Sequence, residues 1–243
     1  MMRLDRWLVT LGVGSRSQVQ KLVRSGAVTV DGVIVKDPSQ SCDEHGQLTL
    51  HGQALDGRLM RHVMLYKPAG LLTAARDKKQ PTVMDLLPEA YASIGCMPVG
   101  RLDKDTTGLL FLTCDGELNH RLLAPARHVD KVYRATVDGP LSDKDVAAFA
   151  AGLHLGDFDA QPADLVIEQA GESESVGLVT IHEGKFHQVK RMFEAVGRTV
   201  TALHRLTFGP LDLDTALEPG QWRELTEDEV RALYAAAQME EPQ

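Results

Sequence analysis

Leu4, Trp7, Leu8 and Leu11 recur at i, i+3, i+4 and i+7, the stripe of a helix with one buried face. Gly12 and Gly14 interrupt the stripe, and Ser15 is placed to cap a second helix. Val19, Leu22 and Val23 supply that helix's apolar side, and Gly26 ends it. The period then changes from 3.6 to 2. Val28 and Val30 alternate with polar residues, Asp31-Gly32 is a strong two-residue hairpin turn, and Val33 and Val35 continue on the returning arm. Leu48-Thr49-Leu50 reads as a further strand before a turn at His51-Gly52, and the polar stretch Ala54–His62 reads as a linker. The pattern divides the chain into a small module, residues 1–60, and a larger domain, residues 61–243.

In the larger domain, short apolar strands are expected at Val63–Tyr66, Leu109–Thr113, Val132–Val137, Leu165–Ile167, Leu178–Ile181 and Val200–Leu206. Asp115-Gly116 bounds the second of these as a turn. Helical patterns cover Thr82–Leu87, Glu117–Leu123 (ending near Pro125), Asp143–Ala150 and His187–Val196. A last helix opens at Thr226, with Glu229 three residues on as a capping box. Strands outnumber helices and do not alternate with them regularly. That predicts an α+β fold: a small α/β module, then a mainly antiparallel mixed sheet flanked by helices.

The chain's 243 residues suit one or two domains, and 43% hydrophobic with 25% charged residues is globular composition. No segment approaches the roughly 18 apolar residues of a membrane span. The N-terminus has neither the apolar run nor the cleavage site of a signal peptide. Cys42, Cys96 and Cys114 lie far apart with no CxxC spacing, which points to a reducing, cytoplasmic setting. The net charge of −8 argues at first against a polyanionic partner, but its distribution reverses that argument. Residues 1–40 carry +3 and residues 183–205 carry +3, while the acid is concentrated in 135–182 and 206–243. Local potential governs phosphate binding. Arg3 and Arg6 on the first helix, Arg16, Lys21 and Arg24 on the second, and Lys36 after the hairpin make a basic surface suited to the backbone of structured RNA.

The segment PVGRLDKDTTGLLFLTCDG (98–116) places Arg101, Asp103, Lys104 and Asp105 between Gly100 and Gly108, just before a buried strand. A lone Asp in such a loop is most often a turn former. Arg101 and Asp103, two apart, share a direction if the backbone is extended. His182-Glu183 and His187 miss the HExxH zinc spacing, since the histidines are five apart and Gly184 interrupts. No Walker lysine or GxGxxG occurs, so neither a metal nor a nucleotide cofactor is expected.

LDRWLVTLGVGSRSQVQKLVRSGAVTVDGVIV resembles the S4 RNA-binding domain. GRLDKDTTGLL resembles the signature of uridine-to-pseudouridine synthases, within the RsuA-type branch. The likeness continues through HRLLAPARHVDKVYRATVDG, EGKFHQVKRMFEAVGRTVTALHR and LEPGQWRELTEDE. It departs at Tyr66, where Asn is frequent, and at Cys114, where Asn or Asp is common.

The resemblance implies an isomerase that detaches uracil from C1′ through N1, turns it, and reattaches it through C5. That rearrangement has no redox change and needs no cofactor. It implies that Asp103 is the reacting carboxylate, with Lys190 as its cationic partner and Arg191 as the alternative. Adjacent residues on a helix diverge by about 100°, so only one of the two reaches the site. Tyr133 would stack on the target base, Arg101 would help hold the nucleotide out of its stack, and Arg191 would otherwise contact RNA. The implied partner of this monomer is ribosomal RNA or an assembling ribosomal subunit, with 16S (small-subunit) RNA as the target. The alternatives are the same chemistry on 23S RNA and a non-catalytic assembly factor.

Overall fold

The computed structural model describes residues 1–124 and 127–241. It forms two compact units. One comprises Met1–Arg61 with Leu87–Met97, and the other His62–Leu86 with Pro98 onward.

In the first unit the helix Leu4–Thr10 buries Leu4, Trp7 and Leu8 completely against Val19 and Val23 of the helix Arg16–Arg24. Ser15 and Gln18 cap the second helix reciprocally, through the side chain of each and the backbone N–H of the other. The hairpin Val28–Val30/Val33–Ile34 turns at Asp31 (φ +51°) and Gly32 (φ +76°), the two left-handed positions that a tight hairpin requires. The expected linker begins later than its polarity suggests. Gln53–Leu55 pairs with Leu48–Leu50 as an edge strand, because the turn at His51-Gly52 returns the chain antiparallel. Trp7 Nε1 then donates to the Gly57 carbonyl at 2.8 Å. A Cβ at Gly57 would lie 2.6 Å from the indole, so only glycine passes there.

Leu87–Met97 returns to this first unit. Its helix Glu89–Ser93 carries Tyr91, whose ring lies under the Arg61 guanidinium at 5.0 Å, and Ile94 packs with the Leu4–Trp7 cluster. A cut at residue 60 describes the chain order but not this excursion.

The second unit is built on one sheet. The seven strands of its main path are β1 (His62–Lys67), β2 (Thr107–Thr113), β3 (Lys131–Asp138), β4 (Asp164–Gln169), β5 (Glu174–Ile181), β6 (Val200–Phe208) and β7 (Trp222–Glu224), in the order β4-β5-β3-β6-β2-β1-β7. Every neighbouring pair in that order is antiparallel except β6 with β2, so the sheet is mixed and mainly antiparallel. β2 is an unbroken apolar run because both its faces are covered; Leu109, Leu110, Phe111 and Leu112 are all fully buried. β3 alternates instead. Lys131, Tyr133, Ala135 and Val137 are buried, while Arg134 and Asp138 are exposed. No helix among the described residues is long and apolar enough to cross a membrane.

Asp115-Gly116, which looks like a turn in sequence, is a helix start. The Asp115 carboxylate accepts from the N–H groups of Glu117 (2.9 Å) and Leu118 (3.0 Å) and caps the helix Gly116–Leu123. Pro125, the expected stop of that helix, lies outside the described residues. The other Asp115 oxygen accepts from the buried Tyr234 hydroxyl at 2.6 Å, tying the last helix, Glu227–Ala236, to this corner. Burial works against this carboxylate, but the Tyr234 and backbone hydrogen bonds outweigh it and hold its pKa below the usual range. Asp115→Ala is expected to lower unfolding stability by about 2 kcal/mol, roughly half from the cap and half from the Tyr234 hydrogen bond. Urea unfolding measures it as a lower midpoint at unchanged slope.

Candidate functional site

The loop carrying Arg101–Asp105 is held from beneath. Lys67, at the end of β1, is fully buried, and its ammonium donates to the carbonyls of Pro68 (3.0 Å), Lys104 (3.2 Å) and Thr106 (2.9 Å). Thr73 adds a second tie, its hydroxyl donating to the Leu102 carbonyl (2.8 Å) and accepting from the Leu102 N–H (3.2 Å). Where the loop enters β2, Gly108 (φ +105°) lies against β6 so closely that a Cβ would sit 2.2 Å from the Arg205 carbonyl oxygen. Glycine is required there by the approach of the neighbouring backbone, not by a turn.

This scaffold brings Asp103 to the helix Gln188–Ala195. Lys190 Nζ lies 3.4 Å from Asp103 Oδ2, and 2.7 and 2.9 Å from the two oxygens of Asp105. His187 Nε2 approaches the other Asp103 oxygen at 3.5 Å. Partial burial disfavours the Lys190 ammonium, but the Asp105 hydrogen bond and both carboxylate charges together outweigh it and raise its pKa. The same hydrogen bond lowers the pKa of Asp105. Arg191 points elsewhere. Its guanidinium bonds to the Leu155 carbonyl and Asp157 and stacks over Phe158 at 4.8 Å. Of the two adjacent cations, Lys190 is the one beside Asp103.

Asp103, Arg101 and Tyr133 all line one cleft of about 510 Å³ in this unit. Arg101 is exposed at its edge, and Tyr133 is buried. Tyr133 sits opposite Arg205 in the β3–β6 register. The Arg205 guanidinium lies 6.0 Å from the Tyr133 ring centroid and 5.3 Å from that of Phe208. Arg205 is 1% exposed. Its Nε donates to the Leu109 carbonyl at 2.7 Å, and its Nη2 has no hydrogen-bond partner among the described residues. Lys131, on the same face of β3 as Tyr133, is buried with its ammonium on the Val129 carbonyl at 2.7 Å; burial, with Arg205 nearby, lowers its pKa to about 8. The cleft therefore has a carboxylate on its wall, with the buried cations Lys131 and Arg205 lining it alongside Tyr133. Such a site favours negative charge developing on a planar ligand.

Sequence reasoning missed Lys67, Lys131, Arg205 and His187. Lys131 had a signal, since it shares the alternation of Tyr133; Arg205 had only the glycine at 108 that its backbone demands.

In the N-terminal unit Arg3, Arg6, Arg16, Lys21, Arg24 and Lys36 are all exposed. Asp5, 1% exposed, accepts from Arg3 (3.0 and 2.9 Å) and lies 3.7 Å from Arg16. The Arg3 hydrogen bond outweighs burial and holds Asp5 at about 2. A buried carboxylate thus fixes part of the basic surface.

Residues 61–195 match the RNA pseudouridylate synthase family, and residues 2–48 match the S4 domain. The chain belongs to the RNA pseudouridylate synthase family. Among its relatives, an uncharacterized RNA pseudouridine synthase of Bacillus subtilis, YtzG, is 43% identical over 96% of this chain and 98% of its own length. The ribosomal small subunit pseudouridine synthase A of Pseudomonas aeruginosa is 40% identical over 94% of this chain and 99% of its own. A crystal structure of a pseudouridylate synthase superposes with a TM-score of 0.66 at 35% identity, covering 96% of this chain and all of that one. This synthase is accordingly an isomerase that acts on RNA, with an S4 domain ahead of its catalytic fold.

The Lys67 clamp carries a pH signature. Burial lowers its pKa to about 8, opposed by the charges of Asp105 and Asp103. The folded state therefore releases this proton near pH 8, while the unfolded chain keeps it to about pH 10.4. Across that window the unfolded state binds more protons, so this group's contribution to stability rises with pH. Urea unfolding of wild type and Lys67→Met at pH 7, 8, 9 and 10 should show the difference moving in favour of the wild type above pH 8. A constant difference would mean that the buried ammonium titrates normally.

Proposed function

We propose that this synthase converts a specific uridine of small-subunit ribosomal RNA to pseudouridine in the cytoplasm, with Asp103 as the reacting carboxylate. The relative of P. aeruginosa whose name states that target is matched over nearly the full length of both chains, which supports the choice of RNA. The observation that carries the assignment of Asp103 is the carboxylate's position, 3.4 Å from the Lys190 ammonium on the wall of the cleft that Tyr133 lines.

The reaction opens the N1–C1′ bond, turns the uracil about its own plane and forms C5–C1′; the proton lost from C5 is balanced by the one that N1 takes up. Atoms and redox state are conserved, so the protein needs to supply only a carboxylate, charge stabilisation and a surface on which the base turns. Asp103, kept beside a cation, faces the sugar or the base. Tyr133 supplies an aromatic face for the uracil, and Lys131 and Arg205, which line the same cleft, favour the negative charge the base carries while detached. Arg101, at the exposed edge, enters the RNA and holds the nucleotide extruded. Extrusion costs a few kcal/mol, which phosphate contacts by the basic residues offset.

Asp103→Asn should abolish pseudouridine formation in small-subunit rRNA while leaving RNA affinity within about twofold. An Asn variant that retained activity would remove the role given to this side chain. Pseudouridine in large-subunit RNA instead would favour that substrate, and wild-type protein that binds rRNA without changing its pseudouridine map would favour an assembly factor.

A triple substitution of Arg16, Lys21 and Arg24 to Gln should raise the KM for rRNA at least tenfold and flatten its salt dependence, with kcat changed little. An unchanged KM would show that the S4 surface does not hold this substrate.

A further inference from the structure

Between β5 and the helix Gln188–Ala195 the chain passes through Lys185, Phe186 and His187. Phe186 is 68% exposed at the lip of the cleft, so folding does not account for it. Its ring is nonetheless oriented. It stacks on the His187 imidazole with centroids 3.8 Å apart and planes 17° from parallel. His187 in turn has a left-handed backbone, φ +52°, uncommon for a residue with a side chain, and its Nε2 lies 3.5 Å from Asp103 Oδ1. Backbone strain of this kind gathers at functional sites. The exposed aromatic ring is thus one stacking layer from a residue that approaches the reacting carboxylate. Lys185 beside it and Arg101 on the same cleft are exposed cations.

We infer that the Phe186–His187 stack is a binding subsite for an unpaired nucleobase, the one immediately next to the target uridine. Extruding the uridine takes a base out of the strand's stack and leaves its neighbour with one bare face. A planar apolar ring one layer from Asp103 covers that face, and its contact is tolerant of base identity because every base offers a π surface. Lys185, the exposed cation next to Phe186 in the chain, is available to a phosphate of the same strand. The subsite assists extrusion and is separate from the bond-making step, so its loss appears in KM and not in kcat. This inference rests on the assignment of the cleft as the uridine site.

The test has two arms. In the first, Phe186→Ala and Phe186→Tyr are assayed on a short RNA around the mapped uridine, with either a normal or an abasic nucleotide at each flanking position. The Ala variant should raise KM about tenfold at unchanged kcat and unfolding midpoint, and Tyr should restore it. At one flanking position the abasic RNA should cost the wild type the same factor, with no further loss in the Ala variant. Equal KM for Ala and wild type, or penalties that simply multiply, would overturn the subsite.

In the second arm, which needs no turnover, an oligoribonucleotide with 2-aminopurine beside a uridine is bound to each protein. Its fluorescence should be quenched by wild type and Tyr but not by Ala; equal quenching by all three would overturn the inference. Wild-type protein inactive on every rRNA would remove the proposed function, whereas active wild type with an indifferent Phe186→Ala removes only the subsite.

Discussion

The structure depends on an ammonium shared by two carboxylates. Lys190 lies between Asp105 and Asp103, hydrogen-bonded to the first at 2.7 Å and 3.4 Å from the second. Asp105, largely exposed, anchors the lysine by hydrogen bonds; Asp103, which lines the cleft, has that ammonium beside one oxygen and His187 Nε2 3.5 Å from the other. The division of labour explains why the loop carries two aspartates, two residues apart, around a lysine of its own that points away to Gln80.

That arrangement would be loose on an unsupported loop. The Lys67 ammonium under the Pro68, Lys104 and Thr106 carbonyls, and the Thr73 hydroxyl at Leu102, convert the loop into part of the scaffold. Gly108 lets β2 and β6 approach without a side chain between them, which sets Arg205 behind Tyr133. Loop, helix and sheet thus meet at one corner. The chain's overall acidity is irrelevant there, because the nearby lysines and arginines set the local potential.

Much of this was legible in the residues. The helical stripes of the first module, its hairpin, the N-cap at Ser15 and the capping box at Thr226 follow from local rules, and the structure holds each of them. Arg101, Asp103 and Tyr133 carry a motif, and the structure brings all three to one cleft. Other features depend on contacts distant in sequence. Lys190 and Arg191 are equivalent in composition and separate only through the phase of their helix. Lys67 looks like a strand-end lysine before a proline until three carbonyls are seen around it. Leu87–Met97 has no signal of its own for joining the N-terminal unit, because its partners Arg61 and the Leu4–Trp7 cluster lie far upstream. Asp115-Gly116 has the composition of a turn, and the bond that ties its capping aspartate to Tyr234, 119 residues later, has no local signal.

If Asp103 is the reacting carboxylate proposed above, the cation at position 190 beside it is required for turnover. The most direct measurement is the single-turnover rate of pseudouridine formation by wild type, Lys190→Arg and Lys190→Met at saturating rRNA and neutral pH. Met should lose at least a hundredfold while still folding and binding RNA, and Arg, which keeps the charge, should recover most of the rate. A Met variant turning over at the wild-type rate would contradict it.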